Sequence, residues 1–465
     1  MISKPLGWVG IMRLGLVQMS LGAIIVLMTS TVNRVMIVEL LLPSFVPGGL
    51  IALHYAVQIL RPRWGHGADT GGRLTPWILG GMAVLALGGV GAALSTLVIV
   101  DHRALGLLIA IVAFLMIGVG VGACGTSLLV LLAKQTEPKR RAPAATIVWI
   151  MMIFGLAVTA GVAGHFLDPF SPERLVLVTA TVGSLAMAVS TLALWGIEPN
   201  AGTRYALAVA STGEAQPATK PPFIEALKEV WAEPDARRFT IFIFVSMLAY
   251  SAQDLILEPF AGLVYALTPG QSTKLSGVQH GGALIGMVLV ALYGAFSRGS
   301  DPRSLRWCAA GGCIASAVML AAIATGATLS PLWPFQANVF ALGVANGVFC
   351  IAAIGSMMAM VSGERAGREG VRMGLWGAAQ GIAFGLGGLS GALAVDIARA
   401  ILPSAQMAYS TVFLAEAGVF LISAWLALNL GQSERSKAVA SKSVLRIPDA
   451  LSNLRLKPRQ GGQFP

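Results

Sequence analysis

The chain has 465 residues, 56% of them hydrophobic and 11% charged, with a mean hydropathy of +0.76. A soluble protein of this length cannot cover its surface with so little charge, so much of it must sit in lipid. The net charge of +11 lies in short loops between apolar runs, which excludes nucleic acid as its reason. Cys124, Cys308, Cys313 and Cys350 fall inside or beside apolar runs, with no metal spacing and no disulfide argument. The first apolar run is too long for a cleavable signal.

A spanning helix needs about 20 mostly apolar residues. Such runs predict helices near 12–32, 43–60, 74–99, 104–133, 143–165 and 174–196, then near 239–262, 275–296, 305–328, 333–361, 373–400 and 406–430. They are long and continuous, unlike the short alternating strands of a membrane barrel. The fold class is therefore an all-α membrane protein of twelve transmembrane helices in two six-helix bundles, over 1–196 and 238–430. Residues 197–237 join them. Gly, Pro, Ser and Thr loosen this linker, and then Phe223, Leu227, Val230 and Trp231 predict a short amphipathic helix on the cytoplasmic face. The basic tail 431–465 lacks a core and should be disordered or rest on anionic lipid.

Lysine and arginine sort into alternate loops. Of 32, only Arg34, Arg103, Arg174, Lys274 and Arg399 fall on the poorer side. The positive-inside rule then places both termini in the cytoplasm.

Glu137, Arg141, Trp149, Gly161 and Gly164 recur with the same spacings as Glu364, Arg368, Trp376, Gly388 and Gly391. The first set enters the fifth helix and the second the eleventh. Parallel repeats of six helices are the layout of the major facilitator superfamily. The glycines should face a neighbouring helix at close range. The loop from Gly65 to Arg73 resembles that superfamily's signature loop at Gly65, Ala68, Asp69, Gly72 and Arg73. The resemblance implies a conformational switch, with Asp69 facing the start of the eleventh helix near 370–374, where the helix dipole favours a carboxylate. A solvated turn carboxylate is the plainer alternative.

Polar groups inside a membrane are costly and are candidate functional groups. Asn33, Arg34 and Glu39 close the first helix; Gln253, Asp254 and Glu258 stand in its repeat equivalent, the seventh. Arg34 is expected to pair with Asp254 or Glu258 as an extracellular gate, completed by Asn33 and Gln253. The alternative is pairing with Glu39 in its own half. His54, His165 and His280 can each ligate a metal, including the magnesium of a chlorin, although a lone membrane histidine more often bonds a neighbouring helix. Glu416, inside the twelfth helix, has no partner assigned by the sequence. There is no nucleophile elbow, phosphate loop or clustered metal-ligand set, so no catalytic set is expected.

Two stretches carry a closer resemblance. Leu27 to Leu40, with Asn33-Arg34-Val35-Met36-Ile37-Val38-Glu39 at its core, and Tyr250 to Pro259 resemble the first- and seventh-helix signatures of the PucC family. Leu60 to Asp69 is similar to the branch encoded among bacteriochlorophyll-synthesis genes. The resemblance implies an inner, photosynthetic-membrane protein of phototrophic bacteria. Such a protein would handle bacteriochlorophyll as cargo or help insert it into antenna polypeptides. Antenna polypeptides and pigment-synthesis enzymes would be its partners, with no obligatory cofactor. A prenyl-transferring synthase would need clustered aspartates, which are absent from the sequence. The competing class is a proton-coupled transporter of a small solute using Asp254 and Glu258. A scaffold without ligand is the third.

Overall fold

Each apolar run becomes one helix. The computed structural model describes residues 6–58, 73–137, 140–198, 228, 231–296, 302–329, 332–361 and 369–430. In the first half, α1 is Trp8–Glu39, α2 Phe45–Val57, α3 Thr75–Asp101, α4 Arg103–Gln135, α5 Arg141–Phe166 and α6 Pro172–Leu194. In the second, α7 is Pro234–Val264, α8 Pro269–Phe296, α9 Pro302–Gly326, α10 Phe335–Val361, α11 Glu369–Ile401 and α12 Ala405–Leu428. No strand occurs among the described residues. Among the described residues eleven helices are long and apolar enough to cross a membrane, while α2 has 13 residues and stops at their edge. Leu108, Leu185, Leu292, Val318, Ile397 and Leu421 point outward, as lipid-facing side chains should.

The packing order repeats. In the first half α1 lies on α5 and α6, α3 on α4 and α6, and α2 on α4; in the second α7 lies on α11 and α12, α9 on α10 and α12, and α8 on α10. The halves meet where α2 packs on α11 and α5 on α8, the same contact made twice. Local chemistry repeats as well. Ser171 caps α6 by accepting from the Arg174 N–H (3.1 Å), and Ser404 caps α12 by accepting from the Met407 N–H (3.2 Å). The chain is thus two pseudo-symmetric six-helix bundles.

Three of the four repeated glycines, Gly164, Gly388 and Gly391, sit at close range on different neighbours, whereas Gly161 is exposed and a Cβ there would meet nothing within 4 Å. Gly164 lies against Gly270 and Lys274 of α8, and the backbone of Gly161 abuts Gly277. Gly388 and Gly391 instead face Leu255 and Ala252 of α7. Trp376 is fully buried against Phe239 (4.9 Å between rings), whereas Trp149 is half-buried. Glu137 and Arg141 frame the start of α5, where Glu137 pairs with Arg140 (3.5 Å). Gly65, Asp69, Gly72, Glu364 and Arg368, most of the linker and the tail lie outside the described residues, and Arg73 is exposed at their edge.

Candidate functional site

The site begins with a break in α1. Over Leu27–Val32 and again over Val35–Glu39 the helix widens into π-turns. Thr29 returns its hydroxyl to the Ile25 carbonyl (3.1 Å), a bond that bends helices. Such turns are frequent at functional sites. Here they carry Ser30, Thr31, Asn33 and Arg34 against the second half.

A matching break lies in α7. Pro259 has no N–H, so the Leu255 carbonyl four residues earlier loses its helical donor. Asn33 supplies one from α1, at 2.7 Å. Two more bonds cross beside it: Ser30 to Ser276 and Thr31 to Thr273, hydroxyl to hydroxyl, each 2.9 Å. The first signature stretch therefore completes the broken backbone of the second and bonds side chains of α8 beside it.

Arg34 is buried and forms its ion pair with Glu39. The expected pair with Asp254 or Glu258 does not form. The π-turn explains why. In an α-helix the fifth residue on points away, but the wider turn brings Glu39 back beneath Arg34. The other arm of the guanidinium still crosses the boundary, donating to the Leu267 carbonyl beyond α7 (2.7 Å). Gly262 makes this possible, since a Cβ there would stand 3.0 Å from the guanidinium nitrogen.

The acids on α7 meet α8 instead. Asp254 accepts from the Gln279 amide (3.3 Å) and lies near His280. Nδ1 of His280 donates to the Ser276 carbonyl (2.8 Å), which leaves Nε2 with the free lone pair when the ring is neutral. Glu258 is buried beside Ser30, Ser276 and the Arg34 charge, but neither of its oxygens accepts a hydrogen bond. Asp254 is only half-buried. One turn away, Tyr250 packs on Phe349 and Phe384, and Phe384 meets Tyr55 of α2 (5.4 Å), giving this acid an aromatic neighbour set drawn from both halves.

Two contacts that the sequence reading missed close the arginine-poor end. Asp396 of α11 accepts from the backbone N–H groups of Ser44 (2.9 Å) and Phe45 (2.7 Å), at the start of α2. Asp168, after α5, accepts from the Gly270 N–H (3.3 Å) at the start of α8. Both carboxylates sit at a helix N-terminus of the other half, where the dipole favours them. Extending the repeat register past Gly164 and Gly391 would have found them, since they fall within one residue of equivalence.

The three histidines are not brought together. Nε2 of His54 accepts from the Gln58 amide (2.9 Å), so its lone pair is already used. His165 is exposed at the end of α5 against Phe166, and His280 alone joins the central cluster. Gln253 is buried, with neither amide atom hydrogen-bonded. Among the described residues no group of three or more His, Cys, Asp or Glu is placed to hold a metal.

A family model described as "PUCC protein" matches residues 31–435, a span that contains the second π-turn of α1 and the whole of the broken α7. The chain belongs to the PucC family. It is 49% identical over 453 residues to the bacteriochlorophyll synthase 44.5 kDa chain of Rhodobacter capsulatus, covering 96% of this chain and 99% of that one. It is 29% identical over 449 residues to Protein PucC of Rhodobacter capsulatus, covering 90% and 92%. The fold of this PucC-family chain matches solved transporters at low identity. The nucleoside transporter NupG superposes with a TM-score of 0.64 at 12% identity, over 90% of this chain and 98% of that one. A bacterial homolog of the lysosomal transporter Spinster gives 0.64 at 17% identity, over 90% and 95%. These likenesses establish a major-facilitator-like fold for the PucC-family chain and leave its cargo open.

Proposed function

We propose that this PucC-family protein is an assembly factor. It takes up bacteriochlorophyll and delivers it to antenna polypeptides at the photosynthetic inner membrane, with both termini in the cytoplasm. The observation that carries this reading is the end-to-end relationship with a chain named for bacteriochlorophyll synthesis. The central cluster suits the cargo. The free Nε2 of His280 is an axial ligand for a chlorin magnesium, and Tyr55, Tyr250, Phe349 and Phe384 are rings on which a macrocycle can stack. In this reading the protein binds and positions pigment rather than synthesising it. The bundles at 1–196 and 238–430 rock about the boundary, with the Asp69 loop as the switch at the arginine-rich end. The test is purification in mild detergent from a phototrophic host, with an absorption spectrum and identification of co-purifying chains. Bound pigment that is lost in His280→Ala, together with antenna polypeptides, supports delivery; a colourless protein with neither overturns it.

One observation favours a second reading, a proton-coupled transporter of a small solute. Asp254, Gln279 and His280 place an acid, an amide and an imidazole together on the boundary of a transporter fold. Proton movement on solute addition to reconstituted vesicles, abolished in Asp254→Asn, would select it.

A further inference from the structure

The second half holds a polar layer that the boundary cluster does not use. Phe349 of α10 touches Tyr250 of α7 (6.2 Å between rings) and Phe420 of α12 (5.9 Å). One turn from each, toward the arginine-poor end, stand Asn346, Gln253 and Glu416. Ser316 of α9 joins them by donating to Asn346 Oδ1 (2.9 Å). Phe260, packed on Tyr409 and Phe413, closes the layer on its other side. All four polar residues are buried: Gln253 and Ser316 at 0% exposure, Asn346 at 1% and Glu416 at 6%. Glu416 is in register with Tyr409, Phe413 and Phe420 on the inward stripe of α12, so its carboxyl enters the bundle.

We infer that α7, α9, α10 and α12 enclose a binding site for one small monovalent cation of sodium size, with the Glu416 carboxylate and Gln253 Oε1 as its main ligands. Three oxygens in this layer, both of Glu416 and Oε1 of Gln253, lack hydrogen-bond partners. None of the three accepts a hydrogen bond, which leaves them open to an ion. Hard cations take oxygen ligands at about 2.4 Å, which sets such oxygens roughly 3.4–4.8 Å apart. The charge selects a monovalent ion. Glu416 is the one acid in the layer, α10 and α12 carry no basic residue, and those of α7, α9 and α11 lie at helix ends. The free amide nitrogens of Gln253 and Asn346 can bond the carboxylate positions the ion leaves, since a carboxylate offers about four. This site is separate from the boundary cluster and holds whether or not the protein carries pigment.

The experiment is equilibrium binding of radioactive sodium to the detergent-purified full chain, with choline chloride balancing ionic strength. The expected result is one saturable site, weakened at least tenfold in Glu416→Gln and severalfold in Asn346→Leu. Size-exclusion profiles and helix content are measured alongside. Gln253→Leu gives the same readout if Glu416→Gln does not yield monodisperse protein. Sodium binding no greater than the choline background in folded wild type overturns the site and makes Glu416 a neutral buried acid. Undiminished binding in the folded variants overturns it too.

Discussion

Asp168 and Asp396 hold equivalent places in the two halves, and each closes the first turn of a helix belonging to the other half. With the bonds of Ser30, Thr31, Asn33 and Arg34 they zip the arginine-poor half of the bundle. Side-chain hydrogen bonds between membrane helices average about 0.6 kcal/mol. The seven bonds come to about 4 kcal/mol, enough to favour the closed arrangement roughly a thousandfold while keeping it reversible.

Removing one charge should loosen that end. A carboxylate at a helix N-terminus contributes typically about 0.3–1 kcal/mol, so Asp396→Asn should raise maleimide labelling of a cysteine placed at Phe45 by about two- to fivefold. Adding Asp168→Asn should raise it further. A rate unchanged in the double variant would show that the two caps do not hold the end shut.

Asn33 and Pro259 should be coupled. Asn33→Leu leaves the Leu255 carbonyl buried without a donor, at a cost of about 1–3 kcal/mol. Pro259→Ala restores an N–H four residues on, so the double variant should recover much of the thermal stability lost by Asn33→Leu. Additive losses in detergent melting curves would separate the two residues.

Charge reversal should identify the partner of Arg34. Arg34→Glu with Glu39→Arg should recover more stability than either single change. Arg34→Asp with Asp254→Arg should recover none, because the ion pair lies within α1. Gly262→Ala should mimic a weakened Arg34, since its methyl would press on the guanidinium. Equal rescue by both swaps would contradict the geometry.

Gly270→Ala should lower the melting temperature. The new methyl would stand 2.4 Å from the Asp168 carboxyl and 2.5 Å from the Gly164 carbonyl, and overpacking of this kind costs about 1–3 kcal/mol. Gly281→Ala is the control, because a Cβ there meets nothing within 4 Å and alanine favours the helix. Matching melting curves for the two variants would remove the close approach of α5 and α8 from the account.

The helices were legible because lipid demands long apolar runs, and the repeat was legible because Trp149 and Trp376 share a register. Within the site, Asn33, Arg34, Asp254 and Glu258 stood out as polar groups at depth. Their pairings were not legible, Arg34 with Glu39 standing only as the alternative to a gate with Asp254 or Glu258, for two reasons. Spacing arguments assume α-helical turns, whereas Arg34 and Glu39 meet through a π-turn. The partners of Ser30, Thr31 and Asp254 also lie on an element that neither signature covers: Ser276, Thr273 and Gln279 are ordinary polar residues of α8, distinguished only by what faces them.

The exchange between Asn33 and the carbonyl freed by Pro259 has a consequence for biosynthesis. Ribosomes deliver α1 to the bilayer long before α7 and α8 exist. Until those segments arrive, Ser30, Thr31 and Asn33 face the membrane without the groups that will satisfy them. The nascent first half is therefore an unfinished object, prone to recognition by quality-control proteases or to sheltering by an insertase until translation ends. Expressed as separate polypeptides, the two halves should be short-lived alone and should persist when made together.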